Sequence, residues 1–519
     1  MTLFKSPFAD IPVRDLSITE RLFEGLAGDP GRVVLIDGPT GRSVTAAGLK
    51  AAIRALAGGL TETGYGHGHC VAIMAPNMPD YAVVFHGVAY AGGTITTINP
   101  TYTATEVNHQ LNDAQAELLI TIPAFLAIAQ EAAAGTGVRQ IVVIGTAEGV
   151  ADLGTLMGVP LAAQVPVDLD RHVLVLPYSS GTTGLPKGVM LSHRNLVVNV
   201  DQGLVQLDVQ AGETTVAFLP FFHIYGMNVL MNSYLSKGAA LVTMPRFDLE
   251  ALLTHIQTHR VRSLLVAPPV AIALAKHPLV DKFDLSSLEF IVSAAAPLGP
   301  DMAAAVAKRL GCTATQGYGM TELSPISHMM PHRATKPGSV GPTAPNTQCR
   351  IVDPASGTNQ GPGGEGEVWV RGPQVMLGYL NNPDATAKTM EGDWLKTGDL
   401  GMIDDDGYLF IRDRLKELIK VRGFQVAPAE VEGELLSLPG VADAAVIGVP
   451  DDEAGELPFA FVVSAAGAVQ DASAIQTSLR KRLASYKVPP RIEFIDAIPK
   501  SAAGKILRRV LRDRLRNQS

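Results

Sequence analysis

The segment from Tyr178 to Gly188, YSSGTTGLPKG, brings hydroxyl side chains, glycines and one lysine together. Glycine has no Cβ, so successive backbone N–H groups can converge on an anion, and phosphate is the usual guest of such a nest. Lys187 adds a positive charge, and further donors come from Ser179, Ser180, Thr182 and Thr183. Because the preceding segment 172–177, HVLVLP, is apolar enough to form a buried strand, the pattern predicts a phosphate-binding loop that follows a strand.

This loop has two other interpretations. A serine- and glycine-rich surface linker has the same composition, but it needs neither the entering strand nor the lysine that follows the last hydroxyl. The Walker A pattern GxxxxGK[ST] is absent here. It is also absent around Gly504 and Lys505, where Pro499 occupies the position of the first glycine. A P-loop fold is therefore not expected.

Further motifs follow in a fixed order: QGYGMTE (316–322), TGD (397–399), DRLKELIKVRGFQVAPAEVE (413–432) and PKSAAGKILRR (499–509). With these motifs, the chain resembles the adenylate-forming superfamily over essentially its whole length. That superfamily contains acyl-CoA synthetases, luciferases and the adenylation domains of peptide synthetases. FFHIYG (221–226) and SAAAPLG (293–299) resemble the 4-coumarate–CoA ligase-like branch, and a bacterial member is expected.

The resemblance implies a reaction in two steps. A carboxylate attacks the α-phosphate of ATP to give acyl-AMP and pyrophosphate, and CoA thiolate then displaces AMP. ATP and CoA are the expected co-substrates, and Mg²⁺ is the expected metal. The implied nucleotide site consists of Ser179, Ser180, Gly181, Thr182, Thr183, Lys187, Gln316, Gly317, Tyr318, Thr321, Asp399, Arg414 and Lys505.

Individual roles are also implied by the resemblance. The ring of Tyr318 offers a flat face on which adenine can stack. Glu322 and Thr183 would hold Mg²⁺, which prefers oxygen ligands. Asp399, predicted to follow a tight turn, would accept hydrogen bonds from the ribose, with Arg414 as a second contact. Considered singly, Glu322 could instead be an acidic residue at a helix N-terminus, and Asp399 and Arg414 could form surface ion pairs.

The predicted catalytic residues are Lys505, Thr183, Glu322 and His223. In the resembled family, the lysine in the position of Lys505 bridges the substrate carboxylate and the α-phosphate in the transition state. An isolated lysine in this position is more often a solvated residue at the start of a helix, and the complete PKSAAGKILRR string decides for catalysis.

The segment DRLKELIK is the predicted joint between two domains. In the resembled family, the small domain rotates about this joint after adenylation, and Lys416 occupies the hinge position. A different face of the small domain then covers the site for thioester formation, with Lys420 on it. The predicted CoA-binding residues are Arg246, Arg422, Gly423 and Gln425. The alternative for this segment is a charged, solvated helix with i,i+4 ion pairs.

The acyl pocket is the least specified part of the site. By position in the motifs, its predicted residues are Tyr225, Val229, Ala294, Ala295, Gly317, Gly319, Pro325, Ile326, Met329, Lys416 and Lys420. Most of them are small or apolar, which favours a flat or slender hydrophobic acid. Val229 and Ala294 depart from residues common in plant 4-coumarate ligases. Hydroxycinnamates therefore stay possible, beside cinnamate, benzoate and medium-chain fatty acids.

Composition narrows the remaining choices. The chain has 519 residues, 47% hydrophobic and 18% charged, which indicates a globular protein of at least two domains. A net charge of −8 gives no reason to expect a nucleic-acid partner. The three cysteines form no CxxC pair, and no signal peptide or membrane-spanning run is evident. We therefore expect a cytoplasmic enzyme that acts on small molecules and has no stable membrane anchor. We expect it to be a monomer or a homodimer.

Short apolar runs, such as CVAIMAP (70–76), alternate with alanine-rich helical patterns, which predicts an α/β class with mostly parallel sheets. From about Pro354 the chain becomes rich in glycine and proline, with shorter, more antiparallel strands expected. The resemblance implies a large N-terminal domain, residues 1–413, of two mostly parallel sheets plus a distorted β-barrel. A small mobile α+β domain, residues 414–519, would carry the catalytic lysine.

Four functions share these nucleotide motifs. The leading prediction is an acid–CoA ligase. The alternatives are an acyl-AMP ligase that loads a carrier protein, a luciferase-like oxygenase and a non-catalytic binding homologue. The intact thiolation segment around Lys420 and Gln425 favours free CoA, and the presence of Lys187, Glu322 and Lys505 argues against loss of catalysis.

Overall fold

The computed structural model describes residues 2–179, 186–422, 424–451, 453–502 and 504–516. The strands are β1 Phe4–Lys5, β2 Val33–Asp37, β3 Ser43–Thr45, β4 Cys70–Met74, β5 Thr94–Thr97, β6 Ala116–Thr121, β7 Gln140–Val143, β8 Ala151–Asp152, β9 Val173–Ser179, β10 Lys187–Ser192, β11 Thr214–Ala217, β12 Ala240–Thr243, β13 Ser263–Val266, β14 Phe290–Ser293, β15 Thr313–Gly319, β16 Ile326–Met329, β17 Gly341–Pro342, β18 Gln348–Val352, β19 Glu365–Arg371, β20 Gly378–Tyr379, β21 Met390–Glu391, β22 Trp394–Ile403, β23 Tyr408–Arg414, β24 Ile419–Val421, β25 Phe424–Val426, β26 Val441–Asp451, β27 Gly455–Ser464 and β28 Arg491–Phe494.

The α-helices are α1 Ile18–Gly25, α2 Ala46–Glu62, α3 Pro79–Tyr90, α4 Ala104–Asp113, α5 Leu126–Ala133, α6 His193–Leu207, α7 Ser233–Ser236, α8 Leu249–His259, α9 Pro268–Lys276, α10 Pro300–Leu310, α11 Pro383–Thr389, α12 Pro428–Ser437, α13 Ala472–Leu479 and α14 Arg508–Arg516. A π-helix spans Tyr225–Asn232, and 3₁₀ turns span Pro123–Phe125, Leu153–Leu156, Pro278–Lys282, Thr321–Leu323 and Ser485–Lys487. Among the described residues, no helix is both long enough and apolar enough to cross a bilayer.

An eight-stranded sheet forms the first layer, in the order β20-β10-β9-β5-β4-β6-β7-β8. Its strands from β9 to β8 are parallel, whereas β10 runs antiparallel to both β9 and β20. All five residues of β4 are buried, as expected for a strand covered on both faces. The apolar run that contains Cys70–Met74 therefore forms one of the predicted parallel strands.

Two four-stranded sheets form the second parallel layer, in the orders β11-β12-β2-β3 and β13-β14-β15-β16. In each, three strands are parallel and the last is antiparallel. They adjoin where the Thr215 hydroxyl of β11 donates to the carbonyl of Ser263 in β13, at 2.8 Å. The second of the two predicted mostly parallel layers is thus divided into two four-stranded sheets, because no backbone ladder is described across this junction.

The third part of the large domain is an antiparallel sheet, in the order β1-β18-β19-β22-β23-β17, with β21 beside β22. Four of its seven strands, β19, β21, β22 and β23, follow Pro354, and they are antiparallel as predicted. The expectation of shorter strands is wrong, because β22 has ten residues and β19 and β23 have seven each. Val368, Val370, Ile403 and Leu409 are fully buried on its inner side. This sheet corresponds to the predicted distorted barrel, and its terminal strands β1 and β17 do not pair with each other in the described structure.

The small C-terminal sheet has the order β25-β24-β27-β26, with β28 parallel to β27. Successive residues of β27 face opposite sides, as they must in a strand. Ala460 and Val462 belong to one hydrophobic cluster, which includes Leu435 of α12, and Phe459 and Phe461 belong to another. The sheet therefore has a separate core on each face.

The chain passes from one sheet system to the other within a few residues. β23 of the barrel sheet ends at Arg414, and β24 of the small sheet begins at Ile419. The intervening residues form a turn in which the N–H groups of Glu417 and Leu418 both donate to the carbonyl of Arg414. The alternative of a charged solvated helix here is wrong, because the segment is a strand end, a turn and a new strand.

Candidate active site

A cavity of about 910 Å³ lies where the eight-stranded sheet, the β13–β16 sheet, the barrel sheet and the small domain meet. The residues at or just beyond the carboxyl ends of β5, β9, β14 and β15 line it, which is where open α/β sheets place their ligands. Ser501, Ala502 and Lys505 of the small domain close one side.

The predicted phosphate loop connects β9 to β10, which are antiparallel neighbours. Ser179 is the last residue of β9 and lies opposite Lys187, the first residue of β10. Both residues line the cavity. The Lys187 ammonium lies 4.6 Å from the centroid of the Tyr379 ring, a cation–π distance. The loop residues named as phosphate or metal contacts lie outside the described residues: Ser180, Gly181, Thr182 and Thr183.

Glu322 is the buried carboxylate of the cavity, with only 4% of its surface exposed. Its Oε1 accepts hydrogen bonds from the Ser179 hydroxyl at 3.1 Å and from the Tyr379 hydroxyl at 2.8 Å. Among the residues that the structure describes, none donates to Oε2. Glu322 does lie at the start of a short helix, the 3₁₀ turn Thr321–Leu323, but both Glu322 and Thr321 line the cavity.

Tyr318, Asp399 and Arg414 form a connected group from three strands. The Tyr318 hydroxyl donates to Asp399 Oδ2 at 2.6 Å, and Arg414 Nε lies 3.3 Å from Asp399 Oδ1. Asp399 and Arg414 are opposite each other in the β22–β23 pair. Burial raises the pKa of Asp399, an effect that the charge of Arg414 and the hydrogen bond from Tyr318 oppose.

The sequence placed Asp399 after a tight turn, and that prediction is wrong. Asp399 lies within the long strand β22, although Gly398 does have the positive φ of +72° that suggested a turn. Pairing with both β19 and β23 keeps the strand continuous through this glycine. Gln316 was expected to contact the nucleotide, but it does not line the cavity. Its side chain accepts the N–H of Leu298 at 2.9 Å and so supports the wall from behind.

Lys505 belongs to the small domain and faces the cavity. Its loop is closed by a pair of hydrogen bonds, from the Lys505 N–H to the Ser501 hydroxyl and from the Ser501 N–H to the Lys505 carbonyl. Burial, assisted by the nearby charge of Arg414, lowers the pKa of Lys505 to about 8. The small domain thus presents its lysine to the site that the large domain builds.

His223 is half-buried in the same cavity. Its Nδ1 accepts the backbone N–H of Tyr225 at 3.3 Å, so the neutral ring carries its proton on Nε2. Burial and the charge of Lys505 lower the pKa of His223 to about 4. The ring is therefore neutral at physiological pH.

The predicted acyl residues, with one exception, line the cavity: Tyr225, Val229, Ala294, Ala295, Gly317, Gly319, Pro325, Ile326, Met329 and Lys416. The exception is Lys420. The Tyr225 hydroxyl donates into the sheet, with the carbonyls of Val292 at 3.2 Å and Val266 at 3.4 Å. At Gly319, a Cβ would stand 1.9 Å from the carbonyl oxygen of Pro325, so only glycine fits this part of the wall.

Tyr379 and His328 are among the cavity residues that the sequence reasoning missed. Tyr379 reaches Glu322 from β20, far along the chain, and nothing in its local sequence marks it. His328 is fully buried, and its two ring nitrogens lie 3.0 Å from the Ser327 hydroxyl and 3.2 Å from the Thr343 hydroxyl. Burial lowers its pKa to about 3. The alternating pattern of β16, with Ile326 on the cavity, was the available signal for a residue on the same face.

The predicted CoA residues do not line this cavity. Arg246 is exposed on the large domain just beyond β12. Lys420 and Gln425 lie opposite each other in the β24–β25 pair and are exposed on the small domain. Arg422 adopts a positive φ of +50° in the turn between them. Gly423 lies outside the described residues.

Comparison with known families agrees with this geometry. The model of the family described as AMP-binding enzyme matches residues 22–380, and that of its C-terminal domain matches residues 430–505. The chain belongs to the AMP-binding enzyme family. It is 41% identical to 4-coumarate--CoA ligase 5 of Oryza sativa subsp. japonica, over 99% of this chain and 97% of the relative. It is 40% identical to 4-coumarate--CoA ligase 1 of Solanum tuberosum, over 99% and 96%.

Among solved structures, this AMP-binding enzyme superposes on the anthranilate CoA ligase AuaEII in complex with anthranoyl-AMP, with a TM-score of 0.90 and 26% identity. The match covers 97% of this chain and 98% of that one. The predicted fold class and the predicted reaction are confirmed: the protein is an AMP-forming acid–CoA ligase that uses ATP and CoA. The expected bacterial origin gains no support, because the relatives at this similarity are plant proteins.

Proposed function

We propose that this enzyme activates a flat hydrophobic acid of the 4-coumarate type, and that both half-reactions use the cavity described above. The observation that carries the proposal is the meeting of Lys505 from the small domain with Tyr318, Glu322 and the apolar acyl wall in one cavity. The curated relatives named above, 4-coumarate–CoA ligases of similar length, support the choice of acid.

In the first step, a carboxylate approaches a triphosphate, so negative charge must be neutralised where it accumulates. Lys505 supplies a cation, since its lowered pKa of about 8 still leaves the greater proportion of molecules protonated at pH 7. A bound nucleotide raises that proportion, because negative charge favours the ammonium. Lys187 neutralises the departing phosphates from the other side of the cavity. The neutral His223 adds no charge, but its Nε2–H can donate a hydrogen bond to the acyl oxygen.

The group of Tyr318, Asp399 and Arg414 fits a nucleoside. In the proposal, adenine stacks on the Tyr318 ring, and the two ribose hydroxyls donate to the carboxylate of Asp399. The Tyr318 hydroxyl and the Arg414 guanidinium already contact that carboxylate, one on each oxygen. They fix its orientation before the nucleotide arrives, which lowers the entropy cost of binding.

The buried carboxylate of Glu322 fits a Mg²⁺ ion that is bound together with the phosphates of a nucleotide. Mg²⁺ is commonly bound by one or two carboxylates together with substrate phosphates. Glu322 provides one buried carboxylate, and its two hydrogen bonds both fall on Oε1, so Oε2 can serve as a ligand. The described residues contain no cluster of three or more acidic, histidine or cysteine side chains that would hold a metal alone. Bound there, Mg²⁺ would neutralise phosphate charge.

For the second step, we propose that the small domain turns about Lys416 and brings its β24–β25 turn over the cavity. Lys505 would then withdraw, and Lys420, Arg422, Gly423 and Gln425 would approach the acyl group, with Arg246 at the CoA phosphates. Their present exposure is consistent with a face that is used only after such a rotation. Closure by either face keeps water from the reactive acyl-AMP anhydride.

The acyl wall favours an apolar ring or chain. Val229, Ala294, Ile326 and Met329 offer only apolar side chains. Tyr225 already donates its hydroxyl proton to sheet carbonyls, so it can only accept a hydrogen bond from a phenolic acid. We therefore expect 4-coumarate and cinnamate to be activated with similar efficiency, within about tenfold.

The proposal is tested by pyrophosphate release from ATP with a panel of 4-coumarate, cinnamate, benzoate and octanoate, each with and without CoA. We expect the two arylpropenoic acids to give the highest kcat/KM and to yield acyl-CoA only when CoA is present. Octanoate as the best substrate by more than tenfold would overturn the choice of acid. Thioester formation on a carrier protein but not on CoA would overturn the choice of acceptor.

A further inference from the structure

Helix α12 of the small domain is held at both ends by side chains of the large domain. At its N-terminal end, Asp413 of β23 accepts the N–H of Ala429 at 2.8 Å. At its C-terminal end, the ammonium of Lys276 donates to the carbonyls of Leu436 at 3.1 Å and Val441 at 3.2 Å. Lys276 is the last residue of α9 and does not line the active-site cavity.

The charges of these two side chains are complementary to the dipole of helix α12. The last carbonyls of an α-helix have no partner within the helix and carry partial negative charge, so a cation there is favourable. The Leu436 carbonyl is such a group, and the Lys276 ammonium is its hydrogen-bond partner. An acid at the N-terminal end and a base at the C-terminal end therefore orient the helix along its axis.

The two contacts differ in distance from the proposed hinge. Asp413 adjoins the Lys416 turn, so a rotation there moves the near end of α12 little. Ten residues of helix span about 15 Å, so Leu436 lies far from the hinge and moves farther than the N-terminal end when the domain rotates. Rotation of the small domain must therefore separate Lys276 from its carbonyl partners.

The helix that carries Lys276 also touches the loop of the catalytic lysine. Gly504 has a φ of +81°, and a Cβ there would stand 3.2 Å from the Cβ of Ala267 and 3.4 Å from Cδ of Pro269, at the start of α9. One end of α9 thus packs on the residue before Lys505, and the other end caps α12. The two contacts fix the small domain in the orientation that delivers Lys505.

We propose that Lys276 is a positioning residue that stabilises the adenylation orientation of the small domain and is released when the domain rotates for thioester formation. The inference rests on the proposed role of Lys505 and on the proposed rotation. Lys276 lies at the solvent edge of the interface, so water weakens its two hydrogen bonds. Its loss should shift the balance between the orientations by about three- to tenfold.

The test separates the half-reactions. In Lys276→Met, we expect pyrophosphate exchange to fall about three- to tenfold, while thioester formation from pre-formed acyl-AMP stays unchanged or rises. Lys276→Arg, which keeps a cationic donor, should restore exchange. Lys282→Met is the matched control, since that lysine is exposed just after α9 and should have no effect. An unchanged exchange rate in Lys276→Met, or an equal fall in both half-reactions, would overturn the proposal.

Lys505→Ala, measured in parallel, distinguishes the two failures. If it abolishes exchange while Lys276→Met does not alter it, the positioning role fails and the proposed function stands. If Lys505→Ala leaves exchange intact, the proposed function fails. In that case, energy transfer between dyes at Val159 and Val469, which are exposed residues of the two domains, still tests the role of Lys276. The labelled protein carries Cys312→Ser, because the other two cysteines are buried. Lys276→Met should change the efficiency distribution, and an unchanged distribution would refute the role.

Discussion

The two domains contribute to one cavity in different ways. In the large domain, Tyr318 comes from the end of a strand, Glu322 from a short turn and Asp399 from within a long strand, and each is held by hydrogen bonds inside that domain. In the small domain, Lys505 comes from a loop that meets the site only through domain contact. In the proposed function, the nucleotide site is therefore pre-organised, whereas the transition-state cation is delivered. Substitutions in the two domains should therefore affect different kinetic quantities.

The largest effect is expected for Lys505→Ala. Removing the delivered cation should lower adenylation at least about 100-fold, because charge neutralisation at the α-phosphate is lost. The conversion of supplied acyl-AMP to acyl-CoA should stay within about threefold of the wild type. Pyrophosphate exchange and single-turnover thioester formation measure the two steps. Equal losses in both would show that Lys505 does not act in adenylation alone.

Lys416→Pro should have the opposite pattern. The Lys416 N–H makes none of the described hydrogen bonds, so proline fixes its φ without breaking one. A stiffer turn should slow thioester formation about tenfold and spare adenylation. Lys416→Ala, which keeps the backbone free, is the control. A loss confined to adenylation, or the same loss in both variants, would argue against a hinge at this residue.

Only part of the fold and of the candidate site could be predicted from the sequence. The apolar run at β4 and the local motifs around Tyr318 and Lys505 carry their own signal, because a buried parallel strand and a glycine-rich loop are each specified by neighbouring residues. Tyr379 carried none, since its role arises from a contact between distant segments, and His328 was marked only by the alternation of β16. The charged segment after Arg414 permitted a helix locally, and only the start of a second sheet at β24 decides against it.

The pH dependence of adenylation follows from the pKa of Lys505. That pKa is lowered to about 8, so the free enzyme loses the ammonium as pH rises through 8. We expect kcat/KM for ATP in pyrophosphate exchange, which reports the nucleotide-free enzyme, to fall above pH 8, approaching tenfold per pH unit. Lys505→Arg, even if slow, should show no such fall below pH 10, because arginine stays charged. A flat wild-type profile from pH 7 to 10 would contradict the role of this ammonium.

The smallest effect is expected for Tyr318→Phe in the pre-organised half. The ring face for adenine is kept, and only the hydrogen bond to Asp399 is lost. We expect KM for ATP to rise about threefold to tenfold with little change in kcat, since the bond orients the carboxylate in both ground state and transition state. Steady-state kinetics with varied ATP measure this split. A large fall in kcat with unchanged KM would mean that the hydroxyl acts in the chemical step.

A crystal structure of the enzyme with a hydrolysis-resistant acyl-AMP analogue examines the whole arrangement at once. We predict the adenine on the face of Tyr318, the ribose hydroxyls within 3.2 Å of the Asp399 carboxylate, and the Lys505 ammonium within 3.5 Å of the group that replaces the phosphate. The acyl group should lie between Val229 and Met329. An analogue bound in this cavity with its adenine away from Tyr318, or bound elsewhere on the protein, would contradict a single site that joins the two domains.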